Sequence, residues 1–412
     1  MVTATSTLTI PDGDYIATRL FRLSIGVFFI GGFLTSSVSL LVPQLKLLLH
    51  LDYREALLVQ LAFHSSYLLF ALPITWAIVR NGYMRAIVTG LAVMTLGCLA
   101  LTMAQTVLSF AMVMGALLLL SAGQTFLQIA SNTVVAVIGP ARGAVRRLTL
   151  LQGFNALGTV MGPLISAPLL LSELDADAAR GIDPTLPFVG TALVTAVLSL
   201  AYMRYRNLLV RGEAQPFAGI RQMFQLIRLR RLKWGTAAIF FYVGAEVAIG
   251  ALLPTVLMRT DRLGVTPVAG GQLVSLYWGG AMVGRFIGAW VMTRMAEYRL
   301  LLAAALGAVA LTLAAIILPG ALGAGALISV GLCNAIMYPT IYALALPADD
   351  RQAPVASMWL CMAVVGGAII PLATGALADG IALLPALLVP AACYAFIARF
   401  AALCAQPQEP IS

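Results

Sequence analysis

Glu246 is the residue of this sequence whose position has the clearest chemical consequence. It is the only one of sixteen Asp and Glu residues that falls inside a long apolar run. If that run crosses a membrane as a helix rising about 1.5 Å per residue, Glu246 lies about 18 Å from its start, near the midplane. An ionised carboxylate is costly there, so the group is expected to be neutral, paired, or used to carry a proton. We interpret Glu246 as a candidate proton-coupling group, and a structural hydrogen bond is the alternative.

Amide side chains recur with helical spacing in other apolar runs. Gln124, Gln128 and Asn132 fall at i, i+4 and i+8, on one face of a helix. Amides both donate and accept hydrogen bonds in directions that hydroxyl groups match, and aromatic rings can lie against the C–H face of a sugar. The pattern therefore predicts a site for a neutral, hydroxyl-rich ligand, although each single amide could equally join two helices. The candidate ligand-binding residues are Gln60, Gln128, Asn132, Gln152, Asn155, Trp278, Asn334 and Tyr338.

Two further ionisable residues lie in apolar runs. His64 is on the same helical face as Gln60 and Tyr67 and is a candidate proton relay, because imidazole titrates near neutral pH. A histidine packed into a structural contact is the alternative. Arg285 lies beside Gly284 and is expected to act as a gate or as an anchor between helices. An anionic ligand would need several deep cations, and Arg285 is the only one available.

The composition limits the classes to which the protein can belong. Of 412 residues, 61% are hydrophobic and 10% are charged, and the mean hydropathy is +0.97. Soluble domains carry about 25% charged residues, so the sequence predicts an all-α membrane protein with many spans. The five cysteines lack paired spacing, and no disulfide, metal cluster or cofactor is predicted. We find no nucleotide loop or paired carboxylates that would indicate an enzyme.

Apolar runs separated by polar breaks predict twelve membrane spans. They lie near 20–42, 56–79, 84–104, 107–138, 148–171, 186–203, 234–258, 268–292, 299–318, 322–346, 354–378 and 382–403. The predicted division is a six-helix half (1–203), a basic linker (204–233) and a second six-helix half (234–412). Gly280, Gly284 and Gly288 recur at every fourth position and predict close helix packing.

The distribution of basic residues predicts the orientation. The linker carries eight Lys and Arg residues against one acid, Glu213. With the linker and both termini on one side, that side holds nineteen of the Lys and Arg residues and the other side holds five. The positive-inside rule then places both termini in the cytoplasm. The net charge of +9 is interpreted as a topology signal, and nucleic acid is not expected as a partner.

Several stretches resemble the fucose and glucose/galactose permeases, which are sugar:proton symporters of the major facilitator superfamily. The resemblance extends over nearly the whole chain, in the same order. Its clearest stretches are Leu41-Val42-Pro43-Gln44-Leu45-Lys46, Leu127-Gln128-Ile129-Ala130-Ser131-Asn132, Leu151-Gln152-Gly153-Phe154-Asn155, Tyr242-Val243-Gly244-Ala245-Glu246, Gly284-Arg285-Phe286-Ile287-Gly288 and Tyr338-Pro339-Thr340-Ile341.

The resemblance implies residue roles and also shows departures. Gln128 and Glu246 resemble the glucose/galactose branch, and Gln152 and Asn155 match polar positions of the family's sugar pocket. Ser39 stands where the family has the aspartate presumed to carry the proton. Thr133 follows Asn132 where the family shows proline, and His64 occupies a position that is usually apolar.

The resulting hypothesis is a hexose-type transporter of the bacterial inner membrane, working as a monomer by alternating access. It would be proton-coupled through Glu246, assisted by His64. The alternatives are an uncoupled sugar facilitator and an exporter of another small molecule. A ligand sensor that signals through the linker is a further alternative from a different class.

Overall fold

The computed structural model is helical nearly throughout, which confirms the predicted all-α class. It describes residues 13–107, 109–137, 144–172, 183–207, 226–227, 229–292, 294–346 and 353–405. Long apolar helices are expected here, because a chain in hydrocarbon must satisfy its backbone N–H and C=O groups internally. Within the described residues, ten helices are long and apolar enough to cross a membrane.

The helices fall where the twelve spans were predicted, with bounds that differ by a few residues. Spans 1 to 6 are Gly13–Ser39 with Leu41–Leu48, Tyr53–Ala56 with Leu58–Leu69 and Ala71–Asn81, Tyr83–Thr106, Phe110–Val137, Ala144–Leu170, and Leu186–Met203. Spans 7 to 12 are Arg230–Met258, Pro267–Met292, Glu297–Ile317, Gly320–Asn334 with Met337–Ala345, Ala353–Met362 with Ala363–Val365 and Gly366–Gly380, and Leu383–Ala386 with Leu388–Cys404.

Span 10 is interrupted at mid-length. Its first helix ends at Asn334 and its second begins at Met337. Pro339 explains the interruption, because proline has no N–H to donate to the carbonyl of Ala335, four residues earlier, and its ring crowds that carbonyl. The break places irregular backbone at the level of the polar residues described below.

The glycine stripe of span 8 is a packing surface, as predicted. A Cβ atom added at Gly284 would lie 2.6 Å from Ala335 Cβ and 2.6 Å from the carbonyl oxygen of Leu332, both in span 10. One added at Gly280 would lie 3.1 Å from the backbone nitrogen of Leu332. Small residues therefore let spans 8 and 10 approach at backbone distance, the usual way to join helices in a membrane.

The two halves contact each other at the end of the bundle opposite the linker. We call this end, which contains Tyr53, Arg54, Gly271 and Asp379, the hairpin end. The Asp379 carboxylate, at the end of span 11, accepts hydrogen bonds of 2.8 Å from the backbone N–H groups of Tyr53 and Arg54. These residues begin the short helix at the start of span 2, so the carboxylate also lies at a helix N-terminus, where negative charge is favoured. Nearby, Gly271 of span 8 packs against Ala167 of span 5.

The predicted division at 203 and 233 stays a prediction. Span 6 ends at Met203, as the sequence indicated, and span 7 begins at Arg230, four residues before the predicted start at 234. Most of the linker, residues 208–225 and 228, lies outside the described residues.

We expect Asp379→Ala to weaken the closure at the hairpin end. The two lost hydrogen bonds are exposed, so together they contribute about 1 kcal/mol to the contact between the halves. Their loss is expected to shift the equilibrium between closed and open arrangements of the hairpin end about fivefold toward the open one. The measurement is the rate of maleimide labelling of Leu57→Cys, a buried position that packs against Gly375. It is made in a chain whose five native cysteines have been replaced.

Asp261→Ala is the matched control. Asp261 is an exposed acid of the hairpin end whose partner, Arg259, belongs to the same half. Its removal is expected to leave the labelling rate within about twofold of the parent. Equal acceleration by both substitutions would contradict a specific role for Asp379 in joining the halves.

Candidate functional site

Glu246 lies at mid-length of span 7 and accepts a hydrogen bond from a tyrosine of the same helix. The Tyr242 hydroxyl oxygen is 2.7 Å from Glu246 Oε1 and 3.2 Å from the main-chain oxygen of Asn334, at the break in span 10. Tyr242 is buried and Glu246 is half-buried. The spacing of four residues places both side chains on one face of span 7.

Two more hydrogen bonds close a ring around Glu246. The side-chain amide of Asn334 donates to the Tyr277 hydroxyl at 2.7 Å, and that hydroxyl donates to the main-chain oxygen of Glu246 at 3.1 Å. We call Tyr242, Glu246, Tyr277 and Asn334 the C-half polar cluster. It joins spans 7, 8 and 10, and Tyr394 of span 12 lies beside it. The Asn334 Oδ1 atom is buried and has no hydrogen-bond partner among the described residues, so the network is not fully satisfied.

Arg285 is near this cluster but does not form an ion pair with it. Its side chain is exposed on span 8, and its charge acts on both Glu246 and Tyr242. The ion pair that the structure shows between described side chains joins Arg259 to Asp261 and does not involve Arg285. An ionised Glu246 would therefore be stabilised by the Tyr242 hydroxyl and by a more distant cation, which makes it a costly charge at this depth.

Several amides of the first half, among them the candidate ligand-binding residues Gln60 and Asn155, join helices in this structure. Gln60 Nε2 lies 3.4 Å from Ser39 Oγ, which links span 2 to span 1. Gln124 Nε2 donates to Thr35 Oγ1 at 2.9 Å, and Asn155 Nδ2 donates to the carbonyl of Phe28 at 2.9 Å. These bonds give the buried side-chain NH₂ groups of Gln60 and Gln124 partners within the protein, whereas Gln124 Oε1 is buried without a hydrogen-bond partner among the described residues.

The remaining amides of the first half divide into two groups. Gln128 and Gln152 have exposed side chains on spans 4 and 5. The side chain of Asn132 lies outside the described residues. The structure therefore separates the predicted amide stripe of span 4, because Gln124 is buried against span 1 while Gln128 is exposed.

His64 is a contact between the two halves. Its Nδ1 atom lies 3.1 Å from the carbonyl oxygen of Gln60, and since a carbonyl can only accept, Nδ1 carries the hydrogen. The other edge of the ring faces span 11, where a Cβ atom added at Gly367 would lie 2.7 Å from Cδ2 and 3.1 Å from Nε2. This contact lies about 16 Å from Tyr53 along span 2, so contacts between the halves extend from the hairpin end to mid-depth.

The predicted aromatic residues lie around the C-half polar cluster. Tyr338 stacks on Tyr342 with ring centroids 6.1 Å apart and lies 6.3 Å from the Tyr242 ring. Trp278 packs edge-on against Tyr277 at 5.1 Å. Both Tyr338 and Trp278 are half-buried, so each keeps an exposed surface for a ligand.

Sequence reasoning did not include Tyr242 among the site residues, although a signal was present. Tyr242 precedes Glu246 by four residues, the spacing already applied to the amides. The contact to the Asn334 carbonyl, 92 residues away, had no signal in the sequence.

Two six-helix halves around polar groups at mid-depth, with an interrupted helix beside them, define the class of secondary transporters. A family model of the Major Facilitator Superfamily matches residues 23–371. The chain belongs to that superfamily, and the twelve-span, two-half architecture predicted from the sequence is confirmed.

Similar proteins agree with the resemblance seen in the sequence. The chain is 36% identical over 381 residues to the glucose/galactose transporter of Brucella abortus, with 91% of each chain covered. It is 28% identical to the L-fucose-proton symporter of Escherichia coli over 92% of each chain. A crystal structure of the E. coli fucose:proton symporter has the same fold, with a TM-score of 0.69 at 24% identity, covering 94% of this chain and 98% of that one.

We expect Gly367→Ala to destabilise this closed arrangement, because the new methyl group would overlap the His64 ring. Overpacking of this kind costs about 1–3 kcal/mol, so the midpoint of thermal unfolding in detergent is expected to fall. Gly380→Ala is the control, since a Cβ atom there meets no atom within 4 Å.

The same substitution made in a His64→Ala protein identifies the cause. If the overlap with His64 is responsible, Gly367→Ala has no further effect in a chain that already carries His64→Ala. The same decrease in both backgrounds would mean that the methyl group disturbs span 11 by another route.

Proposed function

We propose that this protein transports a hexose-type sugar across the bacterial inner membrane by alternating access. The observation that carries the proposal is the 36% identity to a glucose/galactose transporter, extending over 91% of both chains. The polar character of the site agrees, because amides and aromatic rings suit a neutral ligand with many hydroxyl groups. The substrate crosses unchanged, without an enzymatic step.

The sugar is proposed to contact side chains that keep exposed surface at mid-depth. Gln128 and Gln152 offer amides from the first half, and Trp278 and Tyr338 offer ring faces from the second. Asn132 remains a candidate from the sequence. Gln60, Asn155 and Asn334 already hold helix contacts, so in this proposal they shape the site and reach the sugar only if those contacts open.

Glu246 is proposed to carry the coupled proton. Ser39, at the position of the family's acid, accepts from Gln60 and donates to the carbonyl of Thr35, and a serine does not titrate in this range. Glu246 is the acid that lies deep in a span, beside a neutral hydroxyl and without an ion-pair partner. Such a carboxylate can gain and lose a proton at less cost than one locked to an arginine. His64 is proposed to assist by its position between the halves.

The proposed orientation has both termini and the linker in the cytoplasm. It rests on the nineteen basic residues predicted for that side against five for the other. The hairpin end, where Asp379 closes the halves, is then the periplasmic end. The protein is proposed to act as a monomer of two halves, 1–203 and 234–412, which rock about the site.

An uncoupled sugar facilitator is the second candidate function. It is favoured because position 39 carries a serine where the family has an acid.

We expect an inward proton gradient to drive accumulation of labelled hexose in proteoliposomes, and Glu246→Gln to abolish that accumulation. Glutamine keeps the size and polarity of the side chain but cannot carry the proton. Exchange of labelled for unlabelled sugar, which needs no net proton movement, is expected to continue in Glu246→Gln. The measurement is uptake of a hexose panel with and without the gradient.

Glu297→Gln is the matched control, because Glu297 is an exposed acid at the start of span 9. Accumulation is expected to survive in this variant. Sugar that equilibrates equally under all conditions would identify a facilitator with a structural Glu246. Failure to move any sugar would contradict the proposed cargo.

We expect Gln128→Ala to raise the KM for sugar by about three- to tenfold, the effect of losing one or two hydrogen bonds to neutral hydroxyl groups. Initial rates of exchange measured over a range of sugar concentrations test this. Asn207→Ala removes an amide that is exposed at the end of span 6 and contacts Arg85. It is expected to leave KM unchanged, and equal increases in both variants would exclude a specific contact at Gln128.

A further inference from the structure

The Tyr242 hydroxyl has one hydrogen and two acceptors. Glu246 Oε1 lies 2.7 Å away within span 7, and the main-chain oxygen of Asn334 lies 3.2 Å away in span 10. When Glu246 is ionised, both neighbours can only accept, so the single hydrogen can serve only one of them. The Tyr242 hydroxyl then donates its hydrogen to the carboxylate, because the shorter, charge-assisted bond is the stronger.

We propose that Tyr242 is a positioning residue for proton coupling, whose hydroxyl hydrogen turns from Glu246 to the Asn334 carbonyl when Glu246 gains a proton. This inference rests on the proposed role of Glu246 as proton carrier. In this proposal, Tyr242 makes the hydrogen bonding at the break in span 10 depend on whether Glu246 of span 7 is protonated.

Protonation of Glu246 reverses the direction of its bond to Tyr242. The incoming proton binds Oε1 and converts an acceptor into a donor, so the carboxyl O–H now donates to the Tyr242 oxygen. The tyrosine hydrogen is released and turns to the Asn334 carbonyl, 3.2 Å away. No bond other than hydrogen bonds changes, and the proton leaves by the reverse sequence. Both oxygen–oxygen distances lie at or close to the hydrogen-bonding range, so the exchange needs only small movements.

The acceptor in span 10 lies where a change of hydrogen bonding can move a helix. Asn334 ends the first helix of that span, two residues lie between the helices, and Pro339 leaves the carbonyl of Ala335 without its usual donor. Strengthening or removing a bond to the Asn334 carbonyl therefore acts on the connection between two helical segments. Interrupted helices of this kind coordinate ions and substrates at mid-depth in secondary transporters.

The other two hydrogen bonds of the cluster do not involve the main-chain oxygen of Asn334. The Asn334 side chain donates to Tyr277, and Tyr277 donates to the main chain of Glu246, so these bonds do not depend on whether the Asn334 carbonyl has a partner. Tyr338, beyond the break, packs its ring 6.3 Å from the Tyr242 ring. A movement of span 10 at the break would thus reach an aromatic residue proposed to contact the sugar.

The charged and titratable groups that face this arrangement are few. They are Arg285 and Tyr277 of span 8, Cys333 and Tyr338 of span 10, and Cys393 and Tyr394 of span 12. The phenols and thiols are neutral at physiological pH. Glu246 is the member of this set whose protonation the proposal invokes.

The test is Tyr242→Phe, which keeps the ring and removes the hydroxyl. The number of protons moved per sugar is expected to fall about tenfold, the effect of losing one hydrogen bond to a charged group. Sugar exchange is expected to continue. Tyr202→Phe is the matched control: Tyr202 is a buried tyrosine whose hydroxyl bonds Ser24 at 2.9 Å within the first half. It should lose stability to a similar degree but keep the coupling.

A spectroscopic measurement makes the test independent of transport. The carboxyl band of protonated Glu246 is the infrared band that disappears in Glu246→Gln. In Tyr242→Phe it is expected at higher wavenumber, because the carboxyl group has lost its hydrogen-bond partner. If Tyr242→Phe does not fold, a fluorinated tyrosine at position 242 preserves the packing and weakens the acceptor, so the band moves in the same direction by a smaller amount.

The outcomes separate this inference from the proposed function. Loss of coupling in Glu246→Gln with normal coupling and an unmoved band in Tyr242→Phe would overturn the role of Tyr242 and leave that of Glu246 intact. Coupling that survives Glu246→Gln would overturn both. A wild-type protein without any Glu246 carboxyl band across the pH range would also overturn the inference, since the proposed protonated state would not form.

Discussion

The structure depends on one physical constraint: a polar group in hydrocarbon must find its partner within the protein. The constraint explains why the described chain is helical and why hydroxyl side chains bond back to their own helix. Ser24 donates to the carbonyl of Leu20 and Thr95 to that of Leu91, so neither leaves an unsatisfied group in the membrane. It also explains why the buried amides join helices. Glu246 meets the constraint with the Tyr242 hydroxyl, 2.7 Å away, and has no ion-pair partner among the described residues.

The two halves satisfy this constraint in different ways. In the first half, hydrogen bonds from Gln60, Gln124 and Asn155 tie spans 2, 4 and 5 to span 1, and no member of this set can change its charge. In the second half, the cluster around Glu246 is built from tyrosines and one asparagine and contains a titratable group. Where the family's acid would lie in span 1, Ser39 completes a neutral contact. The asymmetry agrees with the proposed function, in which the second half carries the proton and both halves contact the sugar.

The two halves contact each other along several pairs of helices, of which span 5 with span 8 and span 2 with span 11 pack most extensively. At the hairpin end, one carboxylate holds two backbone N–H groups of the other half. At mid-depth, the His64 ring occupies the space left by the missing side chain of Gly367. Neither contact buries a charge, so each can be broken without a large desolvation cost. Within the second half, glycines bring spans 8 and 10 to backbone distance, which favours close packing of these two helices.

The sequence by itself determined the class, the number and approximate limits of the spans, the packing role of the glycine stripe, and the depth of Glu246. These follow from hydropathy and helical periodicity, which depend only on neighbouring residues. The tertiary structure decided which polar faces meet. It joined Gln124 to Thr35 and left Gln128 exposed, although both lie on one predicted face of span 4. It also placed the Asn334 carbonyl beside Tyr242, 92 residues away. Periodicity fixes the side of a helix on which a residue lies, but the neighbour of that side is fixed only when distant helices pack together.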